Sequence, residues 1–399
     1  MTNQSFSKFR LFMAAYWAFM LSVSGMYTMY IVQIGLSKKE ISVAVSILTI
    51  STLLGQNFIG FLADQLKNTK RILLVSLTIG VFAAAAMSLT KQAWLIDCLI
   101  FLWGFSLCGA TPLTDAWYIG PLKRAGRENE FGRIRGLGSI SYALSGVLIG
   151  FLLQNFGWGI YFFYITISAS LAFLSILIIT DKEDTGVTRI INKKTEEIEK
   201  VSIKEAFQQI LAIKPLRTIV IILFMYYFVV KGIYAYLGVL LSDTGGGPLS
   251  LGVAYFFDAS PEIITFFLAA RILARFQSKT LIFASFIIQI IRLSLILVFN
   301  SPVAIVVLGM FSGLAYGLQA SAYKTYIYNL APEKYKVSCL SLSESIISLS
   351  GVICAPVFGF VIMKFGTYSS IAMGLVIDIT VAIFIAINLF KEKSKLKKA

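Results

Sequence analysis

The chain of 399 residues has no histidine at all. A proton carried near neutral pH must therefore ride on Asp or Glu, with Tyr and Lys as the other titratable choices. Its four cysteines, Cys98, Cys108, Cys339 and Cys354, all lie in apolar runs without paired or metal-ligand spacing. They read as buried small hydrophobes, so neither a disulfide framework nor a metal site is expected. Charged residues make up only 14% of the chain. No phosphate-binding glycine loop, metal-spaced cluster or nucleophile with a base occurs, so no enzyme and no cofactor is expected. The ten-residue alternating pattern of a membrane barrel is missing too.

What the chain has in abundance is apolar sequence, 57% of its residues, with a mean hydropathy of +0.81. Runs of about 20 apolar residues recur along nearly the whole length, each enough to cross a hydrocarbon core of roughly 30 Å as a helix. The expected class is an all-α membrane protein. Twelve transmembrane helices are predicted at 11–34, 40–64, 71–89, 93–120, 132–155, 158–180, 215–241, 249–275, 280–300, 302–329, 337–363 and 367–390. The basic N-terminus, MTNQSFSKFR, is followed by a long apolar segment without a small-residue cleavage site. It reads as a first spanning helix and not as a removed signal peptide.

One long polar stretch divides the twelve spans into two sets of six. The expected domains are 1–180, a linker at 181–214, and 215–399. Within the linker VSIKEAFQQILAI has helical spacing with one apolar face and is expected to lie along the membrane surface. The net charge of +15 is spread over short turns and the tail, which reads as topology signal and anionic-lipid contact, with no nucleic acid implied. Lys8 and Arg10, Lys67 with Lys70 and Arg71, Lys123 with Arg124 and Arg127, the linker, Arg275 with Lys279, Lys334 with Lys336, and the tail KEKSKLKK fall on one side. Both termini are thus expected to be cytoplasmic, in the plasma membrane. An internal repeat supports the two halves: LSGV recurs at 144–147 and 349–352, and each copy is followed by an FG pair, Phe156-Gly157 and Phe365-Gly366. Parallel six-helix repeats are the architecture of one large transporter class.

Charge inside spanning helices is costly and is read as functional by default. Asp258 and Glu262 are spaced i,i+4, on one helical face near mid-span, where two neighbouring carboxyls can hold a proton. Arg292 sits near the middle of the ninth span and needs an acidic partner, with Glu262 the first choice. Glu344 and Lys324 are further candidates for ion coupling; Lys231 and Asp378 rank below them. Aromatics with polar tips form a candidate solute-contacting set: Tyr27, Tyr30, Trp117, Tyr118, Tyr142, Tyr234, Tyr236 and Tyr323. Gly136, Gly138, Gly146 and Gly150 are expected to allow close helix contact.

Between the second and third spans, GFLADQLKNTKR resembles the loop signature of the major facilitator superfamily, with Gln65 where the family usually carries arginine. There Gly60 is expected to let helices approach, and Asp64 to pair with basic or helix-end groups of a neighbour; Gly60, Asp64 and Arg71 form the expected gating set. PLTDA, a basic turn and FGRIRGLGSISYALSG resemble the fourth and fifth helices of the lactose-permease-like and nucleoside-proton symporter branch. DASPEIITFF, IIRLSL and GLAYGLQASAYKTYI resemble its eighth, ninth and tenth helices. The resemblance implies the major facilitator fold, two pseudo-symmetric six-helix bundles. It further implies that Asp115 and an arginine engage solute, Arg135 being preferred and Arg133 the alternative, because two residues turn a helix by about 200°. Glu262 and Arg292 would belong to the coupling network. Where that branch has a histidine and a glutamate in its tenth helix, this chain has Gln319, Tyr323 and Lys324.

The expected function is secondary active transport of a small polar solute, of the sugar, nucleoside or aromatic acid class, by alternating access. Proton symport is expected, with sodium as the alternative ion, in a monomer within the bilayer. The rivals are a proton-driven exporter of amphipathic compounds and a lipid flippase or membrane sensor.

Overall fold

In hydrocarbon a chain satisfies its backbone segment by segment only as a helix, and every regular element among the described residues is helical. The computed structural model describes residues 3–66, 68–124, 131–179 and 203–396. In chain order the helices are α1 Asn3–Met20, α2 Tyr27–Gln33, α3 Lys38–Leu66, α4 Thr69–Met87, α5 Ala93–Trp103, α6 Thr111–Arg124, α7 Phe131–Phe156 and α8 Gly159–Ile178. They continue as α9 Ile203–Ala212, α10 Lys214–Ala235, α11 Leu237–Asp243, α12 Pro248–Arg275, α13 Ser278–Phe299, α14 Pro302–Val307, α15 Gly309–Leu330, α16 Lys336–Phe365 and α17 Thr367–Leu396. Twelve spans among the described residues are long and apolar enough to cross a bilayer. Widened turns at Leu21–Gly25 and Gly104–Cys108 join α1 to α2 and α5 to α6 within single spans. The expected spans agree to within a few residues at most ends.

The chain divides into two units. The first comprises Met1–Lys200 with Gly246–Phe256, and the second Val201–Gly245 with Phe257–Ala399. The first part of α12 thus goes with the first unit and the remainder with the second. Pro261 lies four residues past Phe257 inside this helix and cannot donate to the Phe257 carbonyl, so the helix loses one ladder bond just beyond the change of unit. In the first unit α1 packs on α7 and α8, and in the second α10 packs on α16 and α13 on α15 and α17. The short helix α9 places Ile210 in the second unit's core, and its Glu205 accepts a hydrogen bond from the Tyr335 hydroxyl at 3.2 Å. The rest of the linker, 180–202, lies outside the described residues.

The repeat seen in sequence has matching backbone geometry. Gly157 and Gly366, the glycines of the two FG pairs, end α7 and α16 at φ of +76° and +87°, a region an L side chain rarely adopts. Its two LSGV glycines also seat side chains of the first and seventh spans. A Cβ on Gly146 would lie 2.9 Å from Leu21 Cδ2, and one on Gly351 would lie 3.1 Å from Lys231 Cδ. Gly150 is needed for close approach as well, since a Cβ there would come within 2.6 Å of the Pro248 carbonyl oxygen. Two glycine expectations are corrected. Among the described residues a Cβ on Gly60 or Gly136 would meet nothing within 4 Å, so neither seats a described neighbour as expected.

Candidate functional site

In the first unit the charges stand on α6 and α7. Arg135 Nε lies 3.6 Å from Asp115 Oδ2, and each side chain is 33% exposed. The helices hold the pair in place by different means. Arg135 Nη1 donates to Ser139 Oγ one turn further along α7 at 3.2 Å, and its guanidinium lies 4.3 Å from the Trp17 ring centroid. Such a cation–aromatic contact contributes about 0.5–2 kcal/mol depending on desolvation. Tyr118 is an electrostatic neighbour of Asp115. The other carboxylate oxygen, Asp115 Oδ1, is buried without a hydrogen-bond partner. An acceptor in that state has a lone pair to offer and a desolvation cost to recover, about 1–3 kcal/mol.

Tyr142 is half-buried between Trp17, at 6.1 Å, and Tyr255, at 5.8 Å, and extends the aromatic border of this pair. Several other aromatics expected to meet solute occupy packing positions. Trp117 is fully buried and edge-on to Phe9 and Phe12. Tyr118 is buried too and packs on Phe9. Tyr27 leans on Trp103, while Tyr30 sits among Trp158, Tyr161 and Phe162 with its hydroxyl on the Met87 carbonyl. Tyr236, 3% exposed, donates to the Ala355 carbonyl, and Tyr234 is exposed. Trp17 was not anticipated, and nothing in its spacing marks it out from the other aromatics of α1. Of the gating set, Arg71 is exposed with its backbone N–H capped by Asn68 Oδ1 at 3.0 Å. The side chains of Asp64 and Arg133 lie outside what is described.

In the second unit the charges form two groups. Lys324 Nζ lies 3.0 Å from Glu344 Oε1, which also accepts from the Tyr323 hydroxyl at 3.4 Å. Tyr323 adjoins Tyr227, which adjoins Tyr316, each with ring centroids 6.2 Å apart. Glu262, half-buried on α12, acts electrostatically on Tyr227, more weakly than the neighbouring tyrosines do.

The other group surrounds Arg292, which is 6% exposed. Its strongest electrostatic partners are Asp258, Tyr226 and Asp378, in that order. Glu262, the preferred partner, is not among them; the acids that act electrostatically on Arg292 are Asp258 and Asp378. The reason is rotational: α13 presents Ser285, Gln289 and Arg292 on one buried face, and α17 packs against that helix with Asp378 at zero exposure. Asp258 is a neighbour of the Ser312 hydroxyl, and Ser285 donates to Gln319 Oε1 at 2.5 Å. Several polar atoms in this core have no hydrogen-bond partner: both oxygens of Asp378, both amide atoms of Gln289, Arg292 Nε and the Tyr226 hydroxyl. Buried polar atoms left open in this number mark a place for internal water or a bound proton. The signal for Gln289 was present in sequence, because a Ser, Gln and Arg recur at helical spacing through SFIIQIIR in an otherwise apolar run.

Comparison with known proteins identifies the family and the fold. The model of the family described as "MFS_1 like family" matches residues 7–373. The maltose permease of Geobacillus stearothermophilus is 22% identical over 331 residues, covering 82% of this chain and 80% of that protein. The solved structure of the nucleoside transporter NupG superposes with a TM-score of 0.77 at 14% identity, over 96% of this chain and 98% of that one. That of a D-xylose-proton symporter gives 0.69 at 12% identity, over 96% and 97%.

Proposed function

The chain belongs to the MFS_1-like family and is a membrane transporter of the major facilitator fold, and from that premise we propose that it carries a small polar solute by alternating access, coupled to protons. The observation that supports this most is the Asp115–Arg135 pair with its open Oδ1. A carboxylate that offers one oxygen to a guanidinium and keeps the other free can accept a solute hydroxyl or N–H. Arg135 keeps further donors for a solute oxygen, and Trp17 and Tyr142 give a flat border for a ring. A solute that satisfies Oδ1 recovers the cost of that buried acceptor.

For the ion, Glu262 is the coupling acid. It is half-buried and acts electrostatically on Tyr227. With no histidine in the chain, a carboxyl is the natural carrier. A proton on Glu262 removes a charge that otherwise opposes movement of this helix through apolar surroundings. Asp258 shares Arg292 with Asp378 and holds that arginine in place; Glu344 and Lys324 form a second, more exposed pair. The basic residues of the turns and tail favour a plasma-membrane protein with both termini in the cytoplasm.

The test is reconstitution into liposomes, with proton movement followed while solute is driven across. Glu262→Gln is expected to retain solute exchange and lose solute-driven proton movement. Unchanged proton movement in that variant rules out Glu262 as the coupling acid.

A further inference from the structure

Lys231 has a place in the fold that packing alone does not require. It lies on α10 within the seventh span, Lys214–Ala235, about 26 Å along the helix from Lys214 and one turn before its end, with the apolar α11 following. Its amine donates to the Ile347 carbonyl at 3.1 Å and lies 5.7 Å from the Tyr227 ring centroid. No carboxylate pairs with it among the described residues, whereas the more exposed Lys324 pairs with Glu344 and the buried Arg292 feels Asp258 and Asp378. The internal repeat supplies a control. In the first unit the equivalent glycine, Gly146, seats Leu21, whereas Gly351 seats the Lys231 stem. The same slot is filled by an apolar side chain in one half and by an ammonium in the other. The backbone therefore does not need the charge. A lysine at this depth without an acid is costly and is retained for a ligand.

We propose that Lys231 is an anion-recognition residue and that the transported solute carries a carboxylate. Two of the three ammonium donors remain after the Ile347 carbonyl is served. The Tyr227 face beside the amine, continued by Tyr316 and Tyr323, suits a planar or ring-bearing acid. The residue is half-buried. Such a solute supplies the missing counter-charge at Lys231. This inference rests on the transporter reading and narrows its solute from sugar, nucleoside or aromatic acid to the acidic members.

The experiment uses the purified full chain and two matched pairs of probes at neutral pH: phenylacetate with phenylacetamide, and glucuronate with glucose. Binding is read by thermal shift and by calorimetry at up to millimolar concentrations. The acid of at least one pair is expected to bind about tenfold or more tightly than its neutral partner, the discrimination a single well-placed charge provides. Lys231→Met mimics the apolar occupant of the equivalent slot; it is expected to fold at least as stably and to lose the preference. Lys231→Arg, which keeps the charge, is expected to retain part of it. The inference is overturned if the neutral partners bind as well as the acids, if no acid binds, or if Lys231→Met keeps the preference. The two readings also fail separately. Proton-coupled uptake of a neutral solute would keep the transporter reading and overturn this one, whereas Lys231-dependent acid binding without any uptake would do the reverse.

Discussion

Two acids and one guanidinium in the second unit's core lead to a prediction of non-additivity. Arg292 is 6% exposed, Asp378 fully buried and Asp258 half-buried, and the two acids are the carboxylates that act most strongly on the arginine. Removing one negative charge leaves a balanced acid–arginine pair. Asp378 makes no hydrogen bond whose loss would add a cost. Asp378→Asn alone is therefore expected to cost less than about 1 kcal/mol. Asp258→Asn also gives up its Ser312 contact and is expected to cost about 1 kcal/mol. With both acids replaced, the guanidinium is left in apolar surroundings without an acid, and breaking a buried pair in this way costs about 3–5 kcal/mol. The double variant should exceed the sum of the singles by roughly 1–3 kcal/mol, within the range seen for residues that share one partner. A unit of this size shifts its midpoint by roughly 2–4 °C per kcal/mol. The double variant should accordingly melt roughly 6–20 °C below wild type, and each single variant within a few degrees of it. The buried thiols of Cys339 and Cys354 give the assay, since a thiol-reactive dye reports when this unit opens on heating. If the effects are additive, or if the double variant melts like the singles, the shared-arginine arrangement is wrong.

Further outcomes can be tested on the same preparations. Asp115→Asn is expected to weaken solute binding about 10–100-fold in equilibrium dialysis, since it removes the carboxylate that Oδ1 offers and the counter-charge at 3.6 Å; at one-third exposure that ion pair alone contributes about 1 kcal/mol or less. Trp17→Ala should lower affinity by about tenfold through loss of the ring beneath Arg135, read in the same dialysis, with Trp17→Phe recovering part of it. Gly150→Val is expected to lower the melting temperature and slow uptake because its Cβ would collide with the Pro248 and Leu249 backbone. Gly60→Ala and Gly136→Ala, which add a methyl to open space, should leave uptake unchanged and raise stability by up to about 1 kcal/mol.

The fold was legible in the sequence because length and hydropathy decide it. A run of about 20 apolar residues has one stable form in lipid, whatever its neighbours are. The repeat was legible for a related reason: an FG pair that ends a helix needs glycine at positive φ, and the requirement shows as a letter. The Asp115–Arg135 pair was also legible, because PLTDA and FGRIRGLGSISYALSG carry the resemblance that implies it. Arg292 was different. Its partner depends on how three helices distant in sequence are rotated about their axes, and an error of one position, about 100°, exchanges one neighbour for another. Glu262 and Asp258 are one turn apart on α12, so spacing alone cannot say which of them meets α13. Asp378 was harder still. Its helix is apolar all round, which hides the face it buries, and only the packing of α17 on α13 shows that a carboxyl belongs there. Lys231 shows the converse. Its sequence neighbours do not distinguish it from a structural lysine; its meaning emerges from comparison with Leu21, the side chain in the same slot of the other half. In a duplicated membrane fold, a charge in one half where the other half has an apolar residue marks what the scaffold does not need, and that asymmetry is where ligand chemistry is to be sought.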